Sequence, residues 1–173
     1  MKGEERRGRL LEILKTEGGP VKGSKISSML TVSRQVIVQD IALLRAEGSK
    51  IIATPQGYML TGGEKSTTTR VIAVKHGSDE IKDELVTIVA LGGRVLDVTI
   101  EHKLYGEITG NLMVKSIYDA EQFVRRLEEE EAKPLSDLTS GVHIHTIEAD
   151  SRQVLDRIEE ALLNKGYLIP KEV

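Results

Sequence analysis

The sequence predicts an α+β chain in two parts: a small helical unit closed by a two-stranded ribbon, then a larger unit in which strands and helices alternate. Three observations predict it. Apolar residues keep helical spacing as far as Gly48, then give way to strand-like runs that alternate with helical ones after residue 70. A small, polar, Gly-containing stretch, TGGEKSTTT (61–69), lies between the two regions. Charge divides at the same place. Residues 1–70 hold 12 Lys+Arg against 7 Asp+Glu, whereas residues 71–173 hold 12 against 20, together with all four histidines. The expected domains are 1–62 and 70–173, joined by a linker at 63–69. The first suits a polyanion, the second a cation or a small molecule.

Composition narrows the class. With 39% hydrophobic residues but only one Phe and no Trp, the cores must be built from Leu, Ile and Val. No apolar run approaches the roughly 20 residues needed to span a bilayer, so no membrane partner is expected. The charged N-terminus, MKGEERRGRLLEILK, is not a secretory signal. The absence of Cys fits a cytoplasmic protein and removes thiolate metal sites. Any metal must be held by His, Asp or Glu.

In the first part, Leu10, Leu11, Ile13 and Leu14 define a helix over 6–17 that GGP stops. A short helix over 22–30 follows, with Ile26, Met29 and Leu30 expected inward. After the turn TVS, Ser33 is the N-cap of a third helix. There Ile37, Ile41 and Leu44 form one buried stripe, while Gln35 and Gln39 point away from it beside Arg34 and Val38. KIIATPQGYMLT then reads as two strands joined by PQG. Three helices and a ribbon make a winged helix-turn-helix, whose third helix would enter the major groove of double-stranded DNA. Outward amides beside an arginine suit base edges, since Gln bonds adenine and Arg bonds guanine. Ser33, Arg34, Gln35 and Gln39 are the candidate DNA-contacting residues. Arg6, Arg7, Arg9, Lys22 and Lys25 are candidates for phosphate contacts, although each alone reads equally as a solvated charge.

In the second part, strands are expected at 70–76, 94–102, 107–115 and 141–149. Helices are expected over SDEIKDELVTIVALGG, with Ser78 as cap, over SIYDAEQFVRRLEEEEA, and over DSRQVLDRIEEALLNKG. The acidic run at 128–131 reads as a solvated helix end. The order βαββαβ plus a last helix matches the ferredoxin-like, split-βαβ arrangement, in which the four strands would lie in the order 4-1-3-2. His76 ends the first strand and His102 the second, and His143 begins the fourth, beside the first. All four histidines are thus expected at one end of the sheet. Side chains two apart on a strand share a face, their Cα atoms about 6–7 Å apart, so His143 and His145 can close on one ion. His76 can supply a third nitrogen, and Asp79, Glu80, Asp83 or Glu84 an oxygen. Such a set suits zinc, nickel, iron or manganese.

Two resemblances extend this reading. VSRQVIVQDIALLRAEG resembles the helix-turn-helix of biotin-repressor and DeoR-like transcription regulators. KH at 75–76, EHKLYGEI at 101–108 and GVHIHTIEA at 141–149 resemble the signature segments of the three-histidine (3H) domain. From residue 4 to 165 the chain resembles the NiaR-type nicotinate-responsive repressors of NAD biosynthesis and niacin uptake. That resemblance implies a homodimer that binds operator DNA when nicotinic acid is present, with nickel or zinc in the second domain. By position it assigns the metal to His76, Glu84, His143 and His145, and the effector pocket to His102 and Tyr105. Lys103 and Leu104 stand where the family favours Pro and Val. Two other functions compete: a metal-dependent hydrolase of a small nicotinate-like metabolite, and a metal-free amino-acid-sensing regulator.

Overall fold

The computed structural model describes residues 2–62 and 67–170, and the chain forms two compact units, 1–64 and 65–173. Positions 63–66 of the expected linker lie outside the described residues, and Thr68 and Thr69 already belong to a strand.

The first unit contains α1 (Gly3–Glu17), α2 (Gly23–Leu30), α3 (Arg34–Ala46), β1 (Ile51–Thr54) and β2 (Gly57–Leu60). Its core is aliphatic: Leu10 and Leu14, Ile26 and Leu30, and Ile37, Ile41 and Leu44 meet around Val21 and Ile51. Met29 does not join them. It lies on the outer side of α2, 52% exposed, because the short helix turns only its Ile26–Leu30 stripe inward. The ribbon pairs antiparallel from Ile51↔Leu60 to Thr54↔Gly57. Tyr58 also exchanges backbone hydrogen bonds with Val21 at 2.8 and 2.9 Å. This close approach requires Gly57, where a Cβ would lie 2.3 Å from the Val21 carbonyl oxygen.

The second unit runs β3 (Thr68–Lys75), a 3₁₀ turn (Ser78–Glu80), α4 (Ile81–Ala90), β4 (Arg94–His102) and β5 (Gly106–Val114). It continues with α5 (Ile117–Glu129), a 3₁₀ turn (Leu135–Thr139), β6 (Val142–Ala149) and α6 (Arg152–Asn164). Ser116 and Ser151 cap α5 and α6. Ser78 does not cap α4; the Glu80 carboxylate instead accepts the Gly77 N–H at 2.8 Å. The acidic end of α5 is solvated, with Arg125 donating to Glu129 at 2.7 Å.

The strand order corrects the expectation. The sheet is antiparallel throughout but runs β3-β6-β4-β5, so counting from the unit's first strand it is 1-4-2-3 rather than 4-1-3-2. Both crossovers remain split, because β6 lies between β3 and β4, and β4 lies between β6 and β5. The last strand takes an inner place because it buries His143, His145, Ile147 and Ala149 on one face. β5, with exposed Glu107, Thr109 and Asn111 and a Gly at 110, has the composition of an edge. All three helices cover one face. There Ile72, Val74, Val95, Leu112, Val114 and Ile147 meet Leu85 and Ile88 of α4, Ala120 of α5, and Leu155, Ile158 and Leu162 of α6. Register pairs Val74 with His143 and Ile72 with His145, so both histidines face the helices from the middle of the sheet.

Candidate metal centre and nucleic-acid interface

In α3 the buried stripe of Ile37, Ile41 and Leu44 leaves Gln35 and Gln39 exposed on the opposite side, with Arg34 and Val38 exposed on its flanks. Ser33 accepts the Val36 N–H at 3.3 Å and fixes where the helix starts. Asp40 is buried, and its two oxygens take a bidentate pair from Arg6 at 2.6 and 3.0 Å, tying α1 to α3. Arg6 is therefore a structural partner rather than a free phosphate contact. Lys25 donates to Glu17 at 2.6 Å, and Arg7 lies 3.8 Å from Glu47.

The second unit brings three of its histidines onto one carboxylate. Nε2 of His76, His145 and His143 lie 2.6, 3.4 and 3.6 Å from Oε2 of Glu84. All four residues are buried. His143 packs edge-on against both His76 and His145, with ring centroids 4.9 and 4.8 Å apart. The other nitrogen of each ring is turned to a backbone carbonyl. Nδ1 of His76 donates to Gly77 O (2.9 Å), Nδ1 of His143 to Gly141 O (2.9 Å), and Nδ1 of His145 to Asp97 O (2.5 Å). Carbonyls only accept, so each Nδ1 keeps its proton and each Nε2 faces the common centre.

Electrostatics follows from this packing. Burial alone would raise Glu84, but the imidazoles, His145 foremost, outweigh it and hold the carboxyl well below its usual range. Burial works against charge on His76 and His145 as well, and Glu84 overcomes it, raising both. Without an ion, the Glu84 carboxylate shares protons with His76 and His145. Its second oxygen, Glu84 Oε1, is buried with no hydrogen-bond partner among the described residues. An orphaned carboxylate oxygen beside convergent ring nitrogens fits a divalent transition ion. The donor atoms of His76, Glu84 and His143 lie within 4.8 Å of one another, and His145 joins them through Glu84.

Of the expected residues, His76, Glu84, His143 and His145 meet. His102 does not join this cluster. Its ring lies at the end of β4 against Tyr105, with centroids 5.1 Å apart, and its Nδ1 accepts backbone N–H groups of Leu104 (3.1 Å) and Tyr105 (3.3 Å). Tyr105 is 72% exposed. Of the four acids weighed at the start of the first helix, Asp83 takes Lys165 and Tyr167, and Glu80 caps Gly77.

Three supporting residues escaped the sequence reading. Asp97 sits at a register shift in β4, where its carboxylate accepts the Thr146 N–H (2.8 Å) and its carbonyl orients His145. A lone acid inside RVLDVTI was the available signal. Gly141 has φ +89°, and a Cβ there would meet the His76 carbonyl oxygen at 2.4 Å. The Gly directly before the His-x-His strand was its signal. Tyr167 lies tilted against His76 with centroids 5.1 Å apart and donates to Asp83 (2.8 Å). Burial, with help from Asp83, pushes its phenol up to about 12. Nothing in the sequence marked it.

A winged helix-turn-helix followed by a helix-backed sheet with a buried three-histidine cluster is the plan of a two-part transcription regulator. Residues 6–59 match the HTH domain and residues 69–171 the 3H domain. The chain is 48% identical over 166 residues to the "Probable transcription repressor NiaR" of Thermotoga maritima, covering 96% of this chain and 94% of that protein. It is 39% identical over 170 residues to the "Transcription repressor NadR" of Bacillus subtilis, with the same coverage of 96% and 94%. The chain belongs to the 3H-domain family of NiaR-type transcription repressors. Both relatives are named repressors rather than enzymes, which sets the hydrolase reading aside. No helix among the described residues is long and apolar enough to cross a membrane.

Proposed function

We propose that this repressor acts on genes of NAD biosynthesis or niacin uptake, binding operator DNA as a homodimer in response to nicotinic acid. In this reading a divalent ion, nickel or zinc, is held by His76, Glu84, His143 and His145. The observation that carries the metal is the convergence of three buried Nε2 atoms on one carboxylate, with every Nδ1 already committed to a carbonyl. Bound there, the ion would supply an electron-pair acceptor for a pyridine nitrogen or a carboxylate. The chain's own groups do the rest. Gly77, Gly141 and Asp97 fix the rings by their carbonyls, and the buried site excludes bulk water. His102 and Tyr105 are the candidate effector contacts.

On the DNA side, Ser33, Arg34, Gln35 and Gln39 would read the major groove, two copies of α3 lying about one helical turn apart on a palindromic operator. An effector that binds better to the DNA-competent arrangement of the dimer shifts the population toward it. A coupling of about 1–3 kcal/mol, or 5–150-fold in affinity, is sufficient.

The test is an operator-binding titration with duplexes from upstream of NAD-biosynthesis and niacin-transport genes, with and without nicotinic acid, before and after chelation. Tighter binding with nicotinic acid that chelation abolishes is the expected result. A response to nicotinic acid that survives complete metal removal would favour the metal-free sensor. No response to nicotinic acid, nicotinamide or NAD would end the nicotinate reading.

A further inference from the structure

We propose that Tyr167 is a positioning residue of the metal centre, locking the segment that carries His76 to the helix that carries Glu84. The proposal rests on the metal reading above. Its starting point is an inequality among the three imidazoles. His143 and His145 lie inside β6, which is paired on both sides. His76 lies just past the last residue of β3, on the edge of the sheet, where the chain is leaving for α4. A ligand on such a segment has more freedom than one on an inner strand, and a loosely held ligand weakens a metal site.

Tyr167 removes that freedom from two directions. Its carbonyl accepts the Lys75 N–H at 2.8 Å, the Ile169 N–H donates to Ala73 O at 2.9 Å, and Leu168 bridges Val74. The segment after α6 thus serves as an added partner to β3 directly beside His76. The side chain does the rest. Its ring lies 5.1 Å from the His76 ring at 56°, forming a wall of that imidazole's slot. Its hydroxyl donates to Asp83 Oδ2 at 2.8 Å, and Asp83 directly precedes Glu84 on α4. One side chain therefore touches a nitrogen ligand and the helix turn that presents the oxygen ligand. A residue that only filled the core would need neither the hydroxyl nor the outward-facing Asp83. Lys165 also pairs with Asp83, at 2.7 and 2.8 Å, and since it is the Tyr167 ring that lies against His76, Lys165 is the control.

The experiment is cobalt(II) titration of the full chain against a competing chelator, following the visible bands of the bound ion. It compares Tyr167→Leu, Tyr167→Phe and Lys165→Ala with the parent chain, at a temperature where all metal-free chains give the same far-UV circular dichroism. Tyr167→Leu is expected to weaken cobalt binding by about tenfold or more, as loss of an outer partner does elsewhere, and to alter the visible bands. Tyr167→Phe, which keeps the wall and loses the tie, is expected between Tyr167→Leu and the parent, and Lys165→Ala close to the parent. Unchanged affinity and spectrum in both Tyr167 variants, with only a lowered melting temperature, would mean a purely structural residue and overturn the proposal. So would an equal loss in Lys165→Ala. If the parent chain takes up no cobalt, the metal reading falls and this proposal with it; uptake by the parent with indifference to Tyr167 overturns the proposal alone.

Discussion

Glu84 concentrates the chemistry of the second unit in one side chain, and its setting fixes how that unit answers to pH. Glu84 titrates lower in the folded chain than in the unfolded one. Its stabilising contribution is in place above the ordinary carboxylate range and is lost as pH falls through the lowered value. His76 and His145 titrate higher when folded, so their contribution is in place below the ordinary imidazole range and fades as pH rises through the raised values. The metal-free chain is therefore expected to be most stable at about pH 5–6, between the two ranges. Denaturant titrations at pH 4, 5.5 and 8 in the presence of chelator check this. Metal binding has the opposite sign. An ion must displace the shared protons, so its affinity is expected to rise with pH through the raised imidazole range, by about tenfold per pH unit for each proton released. Proton uptake and release during metal titration would show it. His143→Ala is expected to lower metal affinity by more than the roughly 10–100-fold typical of losing an outer partner, with chelator competition as the readout. Gly141→Ala should cost about 1–2 kcal/mol from its backbone conformation alone, plus the clash with the His76 carbonyl; chemical denaturation measures it.

At the scale of elements, the sequence was legible where local patterns decide and silent where distant pairings compete. Stripes such as Ile37–Ile41–Leu44 announced their helices and the faces those helices bury. The βαββαβ order and the strand directions were equally plain. The strand order was not, because both 4-1-3-2 and 1-4-2-3 satisfy the same crossovers and the same hairpin. What separates them is which strand can bury a full face, a comparison among four segments rather than a property of any one. His143 and His145 still met His76, because the first and last strands are neighbours in either order. The tie between Arg6 and Asp40 was hidden for a related reason: the partners are 34 positions apart, and each alone reads as a surface charge. For α3, Gln35→Ala or Gln39→Ala is expected to cost about 1–3 kcal/mol of specific binding and to relax discrimination at one base pair. Lys22→Ala should weaken binding evenly across sequences and shrink its salt dependence. Binding isotherms on matched and scrambled duplexes at several salt concentrations separate the two behaviours.

The whole molecule divides its labour by charge. Basic residues exceed acidic ones before position 71 and acidic residues exceed basic ones after it, so the unit that carries the HTH domain is the one suited to a polyanion. Because phosphate contacts give DNA affinity its dependence on salt, isolated residues 1–62 and the full chain should show similar salt slopes per first unit bound, a dimeric full chain showing about twice the slope of a single isolated unit. Filter binding from 50 to 200 mM salt would compare them. Any effect of nicotinic acid on the slope would then report the number of first units engaged rather than a new contact from the second.

The hydrogen bonds at His102 decide which of its nitrogens carries the hydrogen. Backbone amides already occupy its Nδ1 lone pair, so a neutral ring there must keep its hydrogen on Nε2, the reverse of the three buried rings. Once an ion had displaced the protons shared with Glu84, the buried imidazoles would turn electron pairs to it, whereas the fourth ring, when neutral, offers a proton to an anion. A carboxylate is the complement of that proton.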